Sequence, residues 1–429
     1  MRKKTASAIL ASLLLTAAPG WAEPIYIHAG RLIAVPGQPP RGPSTVIVDG
    51  GRIVGVRDGF VAAPSGARAV DLRDRTVLPG LIDSHVHLAS DRGGEAGLLS
   101  FVREEKQMNA LEAQMNGMKT LRAGFTTVRN LGDEGATLAL REAIKRGWVQ
   151  GPRIIDAASS ISTTGGHMDG RGGLNDDLVA HLPAPENLCD GADDCRKVVR
   201  RQIDRGADVI KFATTGGVNS GTGLATRMVE DEARALVATA HAYGRKVAVH
   251  AHGADGIKLA LRAGADSIEH GTVMDDEIVR TMKKQGTYYV PTLSTVNGYL
   301  ERLAANPNAY APDVRKQIDW RIGVTGQSLA RALPAGVKIA FGTDAGVSKH
   351  GRNADEFELL VKYGMTPAQA IKAATVNAAD LLGVSAETGT IELGKAADII
   401  AVSGDPLSDV TVLKKVNFVM ARGEVIVPN

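Results

Sequence analysis

The sequence predicts an α/β protein, a (β/α)8 TIM barrel with a small β-sandwich domain formed by the N- and C-terminal segments. Three features of the 429 residues carry that expectation. From about Val77 onward one phrase recurs: an amphipathic stretch, a glycine, then a short β-branched or apolar run ending in polar residues, which reads as a βα unit. Eight such runs occur, the number that closes a parallel sheet into a barrel, with an open doubly wound sheet as the alternative. At both chain ends the phrase gives way to alternating apolar and polar residues, the period of strands with one buried face.

In chain order, Met1–Ala22 comes first. Arg2, Lys3 and Lys4 lead into the apolar run Ala8–Leu15 and then Pro19, Gly20, Trp21 and Ala22, the layout of a secretory signal peptide cleaved after Ala22. The apolar run is too short for a spanning helix, which needs ~20 apolar residues. The alternative is an N-terminal helix kept in the mature chain. Export implies a secreted or periplasmic protein with no membrane segment once the leader is gone. Residues 23–76 form the first part of the sandwich, with Ile25–Ile33, Thr45–Val54 and Ala69–Leu72 as strands around the turn Asp49-Gly50-Gly51. The barrel, residues 77–385, takes its strands from Leu78–Asp83, Phe125–Val128, Arg153–Ala157, Val209–Phe212, Lys246–Val249, Ser267–Ile268, Tyr288–Val290 and Val337–Phe341. A glycine just before a strand, such as Gly264 or Gly286, suits the left-handed position that ends a helix. A last helix starts at Thr366-Pro367 and stops at Leu382-Gly383. Residues 386–429 complete the sandwich through Ala397–Val402 and Asn417–Val427, so the chain ends should meet.

Hydrophobic residues at 44% and charged residues at 23% are ordinary globular usage and exclude a disordered or fibrous chain. Loss of the leader removes three cations and takes the net charge from +3 to zero, which argues against a nucleic-acid partner. Cys189 and Cys195 lie close together beside Asp190, Asp193 and Asp194. An oxidising compartment would let them pair, while two free thiols in a surface loop are the other reading.

The C-terminal ends of barrel strands are where ligands and acids belong. Asp83-Ser84-His85-Val86-His87 ends the first strand, and residues two apart share a strand face, so both imidazoles can reach one ion. Alone, such a pair also fits a solvated surface. His250, His270 and Asp344 close three further strands, and Lys211 sits within the apolar Val209–Phe212, where burial favours the neutral, nucleophilic amine that takes up CO₂.

Thr76-Val77-Leu78-Pro79-Gly80-Leu81-Ile82-Asp83-Ser84-His85-Val86-His87, the order of the ligand positions and the closing Gly389-Thr390-Ile391-Glu392-Leu393-Gly394-Lys395-Ala396-Ala397-Asp398 together resemble the metal-dependent amidohydrolase superfamily over nearly the whole mature chain. The chain is most similar to its imidazolonepropionase-like branch, with Xaa-Pro dipeptidases and carboxypeptidase-like enzymes acting on dipeptides and N-acyl amino acids. The resemblance implies two divalent cations, zinc above all: His85, His87 and Asp344 on one, His250 and His270 on the other, and an N6-carboxylysine at Lys211 bridging them. It implies hydrolysis of an amide next to a free carboxylate, extending to ochratoxin-type amides, by a metal-bound hydroxide whose proton Asp344 shuttles to the leaving nitrogen. A homo-oligomer, up to an octamer, is implied as well.

Asp344, His270 and His167 are the expected catalytic residues, His167 because its loop Thr163-Thr164-Gly165-Gly166 could bring a donor to the substrate. His252, on the strand face of His250, Arg227, a guanidinium suited to a carboxylate, and Tyr289 are the expected substrate contacts. For each of these softer candidates a surface or packing role is the alternative. A deaminase, cyclic-amide hydrolase or lactonase of the same fold competes with the leading reading, though many mononuclear members of that kind lack the strand-four lysine. A non-catalytic periplasmic metal- or ligand-binding protein would have no need of a proton shuttle.

Overall fold

The computed structural model describes residues 23–91, 100, 103–219 and 222–429; the expected leader, residues 1–22, lies outside them. Strands β1 (Ile25–Leu32), β2 (Ser44–Asp49), β3 (Arg52–Asp58) and β4 (Arg68–Pro79) join β12 (Ile399–Val402), β13 (Val416–Ala421) and β14 (Glu424–Val427) in one seven-stranded sheet, ordered β14-β13-β12-β4-β1-β2-β3. The chain ends therefore meet as expected, and the strands of the expected sandwich are linked into one continuous hydrogen-bonded sheet. The physical reason is the length of β4, whose 12 residues serve β1 on one edge and β12 on the other. Inward side chains from both ends, Ile27, Leu32, Leu72, Ile399 and Phe418 among them, share one apolar cluster. At the β2–β3 turn Gly50 and Gly51 both take positive φ, 53° and 77°, as that tight hairpin requires. A Cβ on Gly51 would lie 2.6 Å from the Arg422 carbonyl, so the glycine also admits the β13–β14 turn against it.

Gly80 is where the chain leaves this sheet. The run expected as one strand, Leu78–Asp83, is split there: β4 ends at Pro79 and β5 (Leu81–Val86) opens the next layer. β6 (Phe125–Asn130) and β7 (Arg153–Asp156) follow β5 in a parallel ladder, and β8 (Val209–Ala213), β9 (Lys246–Ala251), β10 (Ser267–His270) and β11 (Tyr288–Val290) form a second. Every residue of β5, β6, β8 and β10 is buried, which is what parallel strands covered by helices on one side and packed side chains on the other demand. Single parallel bridges join the ladders' flanks: Ile161 with Phe212, Ile339 with Tyr289 and Ala345 with Val86.

The eighth expected strand, Val337–Phe341, is thus a bridge-forming segment and not a ladder strand. Phe341 donates its N–H to the Ala373 carbonyl at 3.1 Å, so that group is unavailable to a neighbouring strand. The final helix does begin with a reciprocal cap, Thr366 and Gln369 each accepting the other's backbone N–H, and ends at Gly383 after a π-turn over Ala373–Asn377. Helix Asp276–Gln285 typifies the repeating phrase. Asp275 accepts the Ile278 N–H at 2.8 Å, Gly286 closes the helix in the left-handed region, and Ile278, Val279 and Met282 face the core. Burying three such side chains stabilises by roughly 1.5–3 kcal/mol each. Among the described residues no helix is long and apolar enough to cross a membrane.

Cys189 and Cys195 are disulfide-bonded, with Cα atoms 4.9 Å apart, at the entrance to helix Ala192–Asp204. The bridge fastens the loop after β7: Cys189 donates to the Ser162 carbonyl at 2.9 Å, and the Asn187 amide reaches the Ser160 and Met168 carbonyls at 2.8 and 3.0 Å. A Cys189→Ser/Cys195→Ser variant is expected to lose about 2 kcal/mol, the loop-closure cost of so short a ring. A lowered thermal midpoint under non-reducing conditions checks this; an unchanged one would mean the loop is held by its hydrogen bonds alone.

Candidate active site

β5 delivers two imidazoles to one end of the parallel strands. His85 is 1% exposed. Its Nδ1–H donates to Glu269 Oε2 at 2.8 Å, so the lone pair sits on Nε2. His87 Nδ1 donates to the Gly132 carbonyl at 3.0 Å, so Nε2 carries the lone pair whenever the ring is neutral. Both Nε2 atoms look toward Asp344 Oδ1, at 3.5 and 3.4 Å.

The opposite wall comes from β8, β9 and β10. His250 Nε2 lies 3.1 Å from the Gly216 carbonyl and must donate, which frees Nδ1. Thr292 spends its hydroxyl proton on the Pro291 carbonyl and therefore accepts from His270 Nδ1–H at 2.8 Å, which frees the His270 Nε2. His252 Nδ1 pairs with Thr272 Oγ1 at 2.8 Å. Among the described residues two groups have cation-ligand spacing, His85 with His87 and Asp344, and His250 with His252 and His270, the ligand atoms of each within 4.8 Å of one another. Lys211 reaches in from β8, and its Nζ and His85 Nε2 are both buried without a hydrogen-bond partner. An unpaired buried polar atom costs about 1–3 kcal/mol, a cost that a functional partner explains.

Backbone strain marks the same residues. His270 and Asp344 hold φ at 67° and 56°, and Thr292 at 49°, a region non-glycine residues avoid. The neighbourhood fixes Asp344 there: its N–H donates to the His85 carbonyl at 2.7 Å, and Thr343 gives Asp83 both its N–H and its hydroxyl, at 3.1 and 2.6 Å. Asn353 adds a third bond to Asp83 at 2.8 Å. Asp83, fully buried, thereby ties β5 to the segment carrying Asp344.

Burial holds His85, His250, His252 and His270 well below the usual imidazole range, which keeps them neutral. For His87 burial pulls the same way, but the hydrogen bond and charge of Asp344, with Asp133 behind, raise it instead. Burial pushes Lys211 down to about 8, against the pull of Glu269 and Asp344. Four imidazoles held neutral, a fifth, His87, paired with a carboxylate, and a buried amine form a donor set that fits divalent metal ions such as zinc, with His87 giving up its extra proton as a cation binds.

A cavity of about 130 Å³ opens over these groups. His167 lines it, as the sequence led one to expect, its ring 4.3 Å from that of His250 and flat against Gly217, where a Cβ would come within 2.0 Å. Burial pushes His167 down to about 4. His252 lines it too. Two expected substrate contacts do not. Arg227 is exposed and folds back on its own loop, donating to the Thr222 carbonyl through Nε at 3.0 Å and through Nη2. Tyr289 is buried beneath the site and donates to the His270 carbonyl at 3.2 Å, a packing and support role. In their place stand residues the sequence reading passed over. Tyr299, on helix Thr295–Ala305, donates to Asn219 Oδ1 at 2.7 Å. Arg321, on helix Pro312–Gly323, is 3% exposed, lines the cavity, and has no ion-pair partner among the described residues. Among the described residues its guanidinium bonds to Thr325 Oγ1 at 3.0 Å and the Thr292 carbonyl at 3.4 Å.

An α/β fold that gathers imidazoles, a lysine and an aspartate at its strand ends belongs with the hydrolases that work through bound cations. The chain belongs to the amidohydrolase family, whose sequence profile matches residues 76–426. Its homologues include the ochratoxinase of Aspergillus niger, 31% identical over 94% of this chain and 86% of the relative. The imidazolonepropionase of Symbiobacterium thermophilum is 25% identical over 88% of this chain and 90% of that protein. Among solved structures, a Xaa-Pro dipeptidase with methionine bound in its active site is 40% identical with a TM-score of 0.89, over 94% of this chain and 99% of that one. The expected superfamily and branch are thus met, and the chain is an amidohydrolase-superfamily hydrolase.

Proposed function

We propose that this protein hydrolyses the amide bond of a small dipeptide or N-acyl amino acid bearing a free C-terminal carboxylate, using two divalent cations, zinc by preference. Arg321 carries the reading: a buried guanidinium with no counter-ion among the described residues, lining the same cavity as the proposed ligand groups, is complementary to a substrate carboxylate. The similarity to an ochratoxinase and to a Xaa-Pro dipeptidase supports it.

In this reading His85, His87 and Asp344 would hold one cation and His250 and His270 the other, with Lys211, as its carbamate, supplying an anionic oxygen ligand. When bound, the cations supply an acidified water and polarise the scissile carbonyl. Asp344 would accept a proton from the attacking water and pass it to the leaving nitrogen, which an amide needs because its anion leaves poorly. His167, neutral and across from the ligands, donates to the carbonyl oxygen, and His270 is held against Thr292 so that its lone pair stays aimed inward. Tyr299 and the apolar Val218 and Val347 shape the wall that the substrate side chain meets. The bridges at Ile161, Ile339 and Ala345 are read as closing β5 to β11 and the segment after residue 337 into one eight-membered barrel.

Export through the leader and the periplasmic or extracellular location belong to the same proposal, supported by a disulfide that an oxidising compartment maintains. So does self-association. Met108, Leu111 and Met115 stand 44%, 64% and 51% exposed at one-face spacing on helix Gln107–Arg122, an apolar stripe that a second copy would cover.

Elemental analysis of the mature protein, paired with hydrolysis of dipeptides, their C-terminal amides, N-acyl amino acids and lactones, tests the reading. Two metals per chain with chelator-sensitive cleavage of substrates ending in a carboxylate are expected. One metal with deamination or lactone cleavage, or no turnover at all, would overturn it.

A further inference from the structure

Beneath the ligand groups lies a fully buried ion pair that the mechanism above does not use. Arg129 on β6 and Glu269 on β10 are 1% and 0% exposed and meet at 2.7 Å. Arg129 is anchored by the Ser84 carbonyl at 2.6 Å and by Ser267 Oγ at 3.2 Å, and Ser267 in turn donates to Glu269 Oε1 at 2.5 Å. The other carboxylate oxygen of Glu269 accepts the Nδ1–H of His85 at 2.8 Å. A buried ion pair rarely adds stability over apolar packing, because desolvating both charges offsets their attraction. Its retention here calls for another reason, and its one bond outside the pair and its anchors supplies it.

We propose that Glu269 and Arg129 are positioning residues that set the tautomer, orientation and basicity of the His85 imidazole, so that its Nε2 serves as a cation ligand. A histidine ring that donates one nitrogen to a carboxylate presents a fixed and more basic lone pair on the other. Arg129 has a second task. It balances Glu269, so that an anionic Lys211 carbamate can form nearby without two uncompensated negative charges in the barrel interior. Ser267 and the Ser84 carbonyl hold the guanidinium on the far side of Glu269 from His85, which keeps the two donors from competing for one oxygen. The inference rests on the metal-site reading, and its test separates the two.

The experiment is metal titration of the stripped, full mature chain with Zn²⁺ against a chromophoric chelator, with Co²⁺ absorption spectra and the thermal midpoint of the metal-free protein measured alongside. Glu269→Gln keeps an acceptor for His85 but loses the charge and should weaken one of the two equivalents about 10-fold, with an altered Co²⁺ spectrum. Arg129→Met/Glu269→Met removes the pair together, so the metal-free midpoint should stay near or above that of the wild type. The affinity of that equivalent should still fall about 10–100-fold. Ser267→Ala, which leaves both charges in place, should fall between wild type and Glu269→Gln. Recovery of wild-type affinity in the double variant, or an unchanged affinity and spectrum in Glu269→Gln, would overturn the proposal and leave the pair as packing. A wild-type chain that binds no cation would instead overturn the metal reading itself, and this inference with it.

Discussion

Asp344→Asn is expected to lower kcat by about 10³-fold, within the range a positioned proton-transfer group contributes. The substitution is chosen for the backbone. At φ 56° most side chains would be strained, but asparagine, like aspartate, is among the few non-glycine residues that enter the left-handed region, so the Asp344 N–H bond to the His85 carbonyl should survive. The Thr343–Asp83–Asn353 network is untouched, and it fixes this segment independently of the carboxylate. What is lost is the ability to accept a proton from water and hand it to nitrogen. An amide oxygen still ligates, though more weakly than a carboxylate, so the assay is run at saturating metal with the metal content measured. An ester of the same acid, whose leaving oxygen needs less protonation, should lose less than the amide. A variant within tenfold of wild type on the amide, at full metal occupancy, would remove Asp344 from the proton path.

The residues proposed as ligands were legible because each lies at a place local pattern defines: the end of a short β-branched run. His85, His87, His250, His270 and Asp344 could be found by counting strands, and Lys211 by its isolation among Val209, Ile210 and Phe212. The eighth strand was legible as apolar sequence, yet among the described residues it pairs with its neighbours only at Tyr289 and Ser84, and its Phe341 N–H goes instead to the Ala373 carbonyl, a partner far along the chain. Glu269 and Arg129 carried a signal that went unread. Each is a charge at an inward position of an otherwise buried strand, next to Ser267 and Thr127 on the same face, and such a residue needs a buried partner. Arg321 and Tyr299 carried none. They sit on helices that follow β11, and which helical residue overhangs the strand ends is decided by how those helices pack, not by their periodicity. Arg227 misled for the converse reason: it follows the lysine strand in sequence, but its guanidinium finds the Thr222 carbonyl nearer than the cavity.

Arg321→Met should therefore lower kcat/KM for dipeptides by about 10²–10³-fold, about 3–4 kcal/mol, while Arg227→Ala changes it less than threefold. Methionine replaces the stem of the arginine without its charge, and the guanidinium's present bonds, to Thr325 and the Thr292 carbonyl, are weak enough that the fold should persist. If the guanidinium meets the substrate carboxylate in ground state and transition state alike, the loss appears mainly in KM. If it also holds the scissile carbonyl in register with the ligand groups, kcat falls too. The discriminating substrate is the same dipeptide with its C-terminus amidated. The wild type should process it as poorly as the variant processes the free acid, and the variant should scarcely distinguish the two, because the missing partner is then common to both. Equal preference for acid over amide in wild type and variant would place the carboxylate elsewhere in the cavity, and the free-carboxylate part of the functional proposal would fall with it. Thr292 guards against a false positive: its carbonyl touches Arg321 and its hydroxyl orients His270, so unchanged metal content in Arg321→Met is required before the loss is assigned to substrate binding.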